Sequence, residues 1–109
     1  MITVSFQLEG ARILGFSCQG HSGLAPEGED ILCAAVSSAV RMAECAINDV
    51  AGIGARVTVN EEKAEVTLRL PKEVDESKED ACQIVLTAMM VSLARMQEEF
   101  PENITVLEV

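Results

Sequence analysis

The spacing of hydrophobic residues switches along the chain between the period of a β-strand and that of an α-helix. Residues 2–9 alternate apolar and polar side chains, which indicates a strand with one buried face. The apolar members are Ile2, Val4, Phe6 and Leu8. After Asp30 the apolar residues recur at every third or fourth position, the pattern of an amphipathic helix. A strand and a helix of this kind bury their apolar surfaces against each other.

The remaining segments extend this succession of elements over the whole chain. A turn at residues 9–11 leads into a returning strand, "RILGFSC", with Leu14, Phe16 and Cys18 on one face. The segments "ARVTVN" and "AEVTLRL" flank a turn at residues 60–63 and predict a second hairpin, and "NITVLEV" predicts a last strand. The order ββαββαβ predicts an α+β fold with two helices packed on a mixed β-sheet. The 109 residues are expected to form one domain, 1–109.

Each predicted helix has a start signal and a core face. Asp30 is a good N-cap for the first helix, and Gly52 and Gly54 mark its end. Ser77 is predicted to cap the second helix, with Asp80 in the position of a capping box. The predicted core residues of the first helix are Leu32, Ala35, Val36, Ala39, Ala43, Ala46, Ile47 and Val50. Those of the second are Ala81, Ile84, Val85, Ala88, Met89, Ser92, Leu93 and Met96.

The charge balance narrows the classes of partner. The chain has 18 acidic and 8 basic residues and a formal net charge of -10. Such a surface repels phosphate backbones and attracts basic proteins or peptides. With no Trp, no Tyr and only 3 Phe, the chain also offers few rings on which nucleic acid bases can stack. We therefore expect a basic peptide as partner and no direct contact with nucleic acid.

The N-terminal segment and the hydropathy pattern indicate where in the cell the protein is found. Residues 1–10 lack the basic and continuously apolar regions of a signal peptide, and no run of about 18 apolar residues follows. We expect no membrane association and a cytoplasmic location. In that compartment the 4 cysteines are expected to be reduced thiols.

Cys33 occupies a position at which a helix can activate a thiol. If Asp30 is the N-cap, Cys33 lies in the first helical turn, where backbone N–H groups and the helix dipole favour a thiolate. His21, the only histidine, precedes it by twelve positions and can act as its base or ion-pair partner. Asp30 can cap the helix or hold His21, and Ser37 lies one turn beyond Cys33. A thiol and an imidazole need no cofactor and no metal.

Other interpretations of these residues remain open. Cys33 can be a small buried side chain, as Cys18, Cys45 and Cys82 are predicted to be. A zinc site can use Cys18, His21 and Cys33 with Asp30 as fourth ligand, although the paired C-x-x-C spacing is absent. The chain can also be a non-catalytic acidic module that binds a basic protein. Residues 19–29 carry three glycines, which predicts a loop that is mobile alone and ordered by a bound peptide.

Two short blocks resemble a known family. They are "GH" at Gly20 and His21 and "DILCAAVSS" at residues 30–38, separated by a glycine-containing segment. With the chain length and the order ββαββαβ, they resemble the ribosomal-processing cysteine proteases of bacteria, which are associated with homodimers. These enzymes remove a short N-terminal extension from large-subunit ribosomal protein twenty-seven. The resemblance implies that Cys33 is the nucleophile and His21 the general base, and that Gly20, Asp30 and Ser37 support them.

Overall fold

The order of helices and strands follows the prediction. The structure is a computed structural model, and it describes residues 1–21 and 30–109. The strands are β1 (Ile2–Glu9), β2 (Arg12–Gly20), β3 (Arg56–Asn60), β4 (Glu65–Arg69) and β5 (Ile104–Glu108). Helix α1 (Ile31–Glu44) continues as a π-helical segment, Cys45–Val50, and helix α2 spans Glu76–Glu99. The α+β class and the order ββαββαβ are therefore confirmed.

The five strands form one mixed sheet in the order β3-β4-β2-β1-β5. Only the β1–β5 pair is parallel; the other neighbours are antiparallel. The register places Phe6 opposite Phe16, with ring centroids 6.0 Å apart, and Cys18 opposite both Val4 and Val66. These residues share the face that packs against the helices, because alternate residues of β1 are buried.

A β-bulge corrects the predicted face of β2. Gln7 pairs with Gly15 but Leu8 pairs with Ile13, so that Leu14 is the extra residue of the bulge. The bulge turns Ile13 into the core and leaves Leu14 half-buried. The prediction that Leu14 shares the core face with Phe16 and Cys18 is therefore wrong for Leu14.

Helix α2 binds the bulge through side chains. The Gln83 amide accepts the N–H of Ile13 at 2.8 Å and donates to its carbonyl at 2.9 Å. One turn earlier, Glu79 forms an ion pair with Arg12 at 2.6 Å, and this carboxylate raises the pKa of Arg12. These contacts satisfy backbone groups of β2 that lie beyond the last residue paired with β4, Gly15.

Helix α1 begins where the sequence predicts. The side chain of Asp30 accepts the N–H of Cys33 at 3.0 Å, which is the geometry of an N-cap. The residues of this helical segment that pack on the sheet are Leu32, Val36, Val40, Ala43 and Ile47. Val50, predicted as core, is 81% exposed, because the wider π-helical turn changes the direction of the last side chains. The helix ends before Gly52, as predicted.

The hydropathy of this segment has two structural interpretations. Residues Ile31–Val50 have a mean hydropathy of 1.3, which by length and composition alone suffices to cross a membrane. The core helix of a water-soluble protein meets the same criterion. In this fold the buried side chains of the segment pack into the single core beneath the sheet.

Helix α2 differs from the prediction in its cap and in its core face. Asp75, not Ser77, is the N-cap, because its carboxylate accepts both the N–H and the hydroxyl of Ser77. Those hydrogen bonds lower the pKa of Asp75. The buried residues are Cys82, Leu86, Met89 and Leu93. Of the predicted set, Met89 and Leu93 are confirmed, whereas Ala81, Ile84, Ala88 and Ser92 are exposed. Because Gln83 docks on the bulge, the side of α2 that carries these four exposed residues points away from the sheet.

We expect Gln83→Ala to lower the free energy of unfolding by about 1–3 kcal/mol, because it leaves two backbone groups of Ile13 without partners. Urea denaturation measures the change. Thr87→Ala, one turn along on an exposed position, is the control and should stay within about 0.5 kcal/mol of the parent. Equal stability of the two variants would contradict the role of Gln83.

Candidate active site

An open groove of about 480 Å³ lies between α1 and the adjoining ends of the strands. The end of β2 forms one side, and the β3–β4 hairpin contributes Val59, Ala64 and Val66. Helix α1 supplies the other wall. Its lining residues are Cys33, Val36, Ser37, Val40, Arg41 and Glu44. The groove therefore has an apolar floor and polar groups along the helix.

The first turn of α1 places Cys33 in the groove. The residue is half-buried, and its N–H is held by the carboxylate of Asp30, which is itself only 7% exposed. Asp30 thus orients the backbone that carries the thiol. The first turn of a helix is a position at which reactive cysteines of proteins are found. This arrangement suits a sulfur nucleophile.

His21 reaches the groove from the end of β2. Its backbone carbonyl accepts a hydrogen bond from the nitrogen of Met1, while its side chain lines the groove and remains exposed. Gly20, which precedes it, has φ +96° and pairs with Ile2. A Cβ on Gly20 would lie 2.3 Å from the carbonyl oxygen of Met1. Only glycine therefore allows β2 to end at this place and His21 to follow.

The structure brings four of the five predicted site residues to one groove. Gly20, His21, Cys33 and Ser37 line it, and Ser37 is exposed one turn beyond Cys33. Asp30 is absent from the lining and acts through the N–H of Cys33. An imidazole and a thiol that line one groove can exchange a proton with each other and with a leaving group once they come within hydrogen-bond distance.

Sequence reasoning missed the far part of the groove. Arg41 and Glu44 follow Ser37 along the same side of α1, at spacings that helical periodicity could have found. No sequence spacing identifies Val59 and Val66 as groove residues. They lie at the groove because β4 pairs with β2 and β3 pairs with β4. The two charged residues offer contacts to polar groups of a bound molecule, and the valines offer contacts to its apolar groups.

The other three cysteines differ in their surroundings. Cys18 is half-buried and lines the groove, and burial together with Cys33 raises the pKa of its thiol to about 11. Cys82 is buried in the core, as predicted, and burial raises the pKa of its thiol. Cys45 is exposed, so the prediction that it fills the core is wrong. It lies where α1 passes into the π-helical segment, outside the stripe that faces the sheet.

The arrangement of the possible ligands bears on the zinc interpretation. Over residues 1–21 and 30–109, no three His, Cys, Asp or Glu side chains form a group that could hold a metal ion. Cys18, His21, Cys33 and Asp30 all belong to these ranges, and the Asp30 carboxylate is engaged by the helix. Residues 22–29, which make up most of the predicted loop at residues 19–29, lie outside the described residues.

Comparison with known proteins assigns this geometry to a family. The family model for the cysteine protease Prp matches residues 1–105. The ribosomal processing cysteine protease Prp of Bacillus subtilis is 28% identical over 94 residues, which cover 86% of this chain and 84% of that protein.

Solved structures agree in fold. The ribosomal processing protease Prp of S. aureus, in complex with a covalently linked product peptide, superposes with a TM-score of 0.86 at 24% identity, over 100% of both chains. The protein SMU.848 of Streptococcus mutans superposes with a TM-score of 0.83 at 20% identity, over 100% of this chain and 97% of that one.

We expect Gly20→Ala to destabilise the protein more than Gly10→Ala does. Both positions have positive φ, which costs an alanine about 1–2 kcal/mol. A Cβ at Gly10 meets nothing within 4 Å, whereas one at Gly20 collides with Met1 and should cost about 1–3 kcal/mol more. Urea denaturation of the two variants isolates this collision, and equal costs would show that the Met1 contact is dispensable.

The four thiols should differ in their rates of alkylation in the native protein. Cys45 is expected to react as an exposed thiol, so Cys45→Ser is the background in which the others are compared. There Cys33 should react first, because Cys82 is buried and Cys18 is almost fully protonated at neutral pH. The rate at Cys18 should rise about tenfold per pH unit towards pH 11. Peptide mapping after iodoacetamide treatment measures these rates, and Cys18 or Cys82 reacting first would contradict the site.

Proposed function

The chain belongs to the cysteine protease Prp family, and we propose that it removes a short N-terminal extension from large-subunit ribosomal protein twenty-seven, with Cys33 and His21 as a catalytic dyad. It is a cysteine protease by this membership. Two comparisons support the finer proposal: the Bacillus subtilis relative is a ribosomal processing protease, and the S. aureus protease holds a product peptide covalently.

The observation that carries the proposal is that His21 and Cys33 line the same groove from two different elements. The position of His21 is fixed by the Gly20–Met1 contact, and that of Cys33 by the Asp30 cap. The Gly20–Met1 contact and the Asp30 cap thus each place a reactive group on the same groove.

The proposed reaction uses the thiolate of Cys33 and a proton carried by His21. The sulfur attacks the carbonyl carbon of the scissile peptide bond, and the resulting intermediate collapses as the C–N bond breaks. His21 protonates the leaving amine and then takes a proton from the water that hydrolyses the thioester. In this scheme the oxyanion is stabilised by first-turn N–H groups of α1 other than that of Cys33, which donates to Asp30. No cofactor takes part in this scheme.

Charge around the groove supports a basic peptide as substrate. Glu44 lines the groove, and the β3–β4 turn that contributes Ala64 also carries Glu61 and Glu62, which are exposed. In a chain of formal net charge -10, these carboxylates draw a basic N-terminal segment towards the thiol. The proposal places the reaction in the cytoplasm and includes no direct contact with nucleic acid and no membrane association.

We also propose that the protein acts as a homodimer. Helix α2 carries an apolar stripe on its outer side, formed by Ala81, Ile84, Ala88 and Val91. Ile84 is 68% exposed and Val91 45% exposed. A stripe of this kind on an outer helix is the type of surface that a second copy can cover.

We expect Cys33→Ala and His21→Ala each to lower the cleavage of the precursor ribosomal protein by about a thousandfold or more, because the two groups act as one unit. Intact-mass spectrometry of the ribosomal protein after incubation measures the loss of its extension. Full turnover by either variant would contradict the dyad. A wild-type protein that binds the precursor without shortening it would contradict the proposal and favour the acidic binding module.

Two milder substitutions separate the supporting roles. Asn caps a helix nearly as well as Asp, so Asp30→Asn should retain both the fold and most activity if Asp30 only caps. Loss of activity in a folded Asp30→Asn protein would assign its charge to His21. Ser37→Ala, in the groove, is compared with Ser38→Ala, which is exposed outside it. Only Ser37→Ala should change the rate of cleavage.

A further inference from the structure

Two of the four thiols share the groove. Cys33 enters it from the first turn of α1, and Cys18 enters it from β2. The register of the sheet directs Cys18 towards the helices, since its partners are Val4 on β1 and Val66 on β4. Both thiols pack against the same apolar core. Both residues therefore line one cavity, at the place where α1 packs on the sheet.

The pKa of Cys18 responds to Cys33. The pKa of Cys18 is raised to about 11, chiefly because burial disfavours its thiolate and further because of the charge on Cys33. Cys82 has no such coupling to Cys33; its pKa responds to Glu79 and Arg12, which lie at the other end of β2. Cys45 lies twelve residues along the helix from Cys33 and is absent from the groove lining.

We propose that Cys18 is a resolving thiol, which forms a reversible disulfide with Cys33 after a hydroperoxide has oxidised Cys33. The cavity that both thiols line carries this inference. The disulfide would block the nucleophile while protecting it from irreversible oxidation. Only the inhibition of cleavage rests on the proposed function; the disulfide itself does not.

The steps balance with the hydroperoxide as oxidant. The Cys33 thiolate attacks the O–O bond, forming a sulfenic acid and releasing an alcohol, or water where the oxidant is hydrogen peroxide. The sulfur loses two electrons, which the peroxide gains. Cys18 then gives up its proton as its sulfur attacks that of Cys33, the S–O bond breaks, and water leaves. Two electrons from an external dithiol restore both thiols.

The surroundings of Cys18 suit this role. Protonation keeps it unreactive towards peroxide while Cys33 is reduced. Oxidation of Cys33 to a sulfenic acid removes the negative charge that helps to raise the pKa of Cys18. A thiol of high pKa is also the stronger nucleophile once deprotonated, and proximity within one cavity raises its effective concentration. The bond requires the two Cα atoms to lie within about 7 Å.

The test treats the whole protein with a molar excess of hydrogen peroxide at neutral pH, enough to carry an unprotected thiol past the sulfenic acid, followed by non-reducing peptide mapping. We expect the mass to fall by two hydrogen atoms and a linked peptide pair to contain Cys18 and Cys33. Dithiothreitol should restore both thiols. In Cys18→Ser the same treatment should add two or three oxygen atoms to Cys33, irreversibly. Cys45→Ser is the matched control and should behave as the wild type.

Two results would overturn the proposal. One is wild-type protein in which Cys33 gains oxygen atoms while Cys18 remains a thiol. The other is a Cys18→Ser protein that recovers as much thiol at Cys33 as the wild type does. Peptidase activity, normalised to that of each untreated variant, is followed in parallel. Because the mapping reads the disulfide directly, a failure of the proposed substrate leaves this result intact, and a failure of the disulfide leaves the dyad untouched.

Discussion

The hydrogen bond from the Cys33 amide to the Asp30 carboxylate determines the phase of α1, and the rest of the site depends on that phase. A helix that began one residue later would turn every side chain by about 100°. With the cap at Asp30, Leu32 and Val36 face the sheet, and the neighbouring direction, that of Cys33 and Ser37, opens into the groove. One local contact therefore couples core packing to the presentation of the thiol. The same carboxylate is nearly buried, so it holds the turn in an environment where its hydrogen bonds are strong.

Sequence reasoning succeeded where structure is determined by local patterns. The alternation in β1, the cap at Asp30 and the glycines after α1 depend only on neighbouring residues, and all were confirmed. The burial of Ile13 in place of Leu14 could not be predicted, because the bulge is stabilised by Gln83 from a helix seventy residues later. On α2 two apolar stripes compete, and which of them becomes core depends on that same docking.

The residues of the candidate site also fall into a group that local patterns predict and a group that depends on long-range packing. Cys33, His21 and Ser37 were found from a motif, because spacing along one helix and one strand end specifies them. The opposite wall, with Val59 and Val66, required knowledge that β4 pairs with β2. Cys18 was predicted correctly to belong to β2, but its place on the same groove as Cys33 depends on where α1 crosses the sheet. Long-range packing thus decided which residues surround the thiol, whereas local rules decided which residue carries it.

The parallel pairing of β5 with β1 connects the last strand to the strand end that carries His21. The N–H of Ile2 binds the carbonyl of Asn103, and Ile2 also pairs with Gly20, the residue before His21. Until β5 pairs with it, β1 is an open edge, and the strand end that carries His21 is supported from one side only. Pairing between such distant segments is also a late event in folding. The turn that carries Cys33 forms from contacts between neighbouring residues, whereas the strand end that carries His21 is fixed only by pairing between distant segments. The two sides of the groove are therefore completed at different stages of folding.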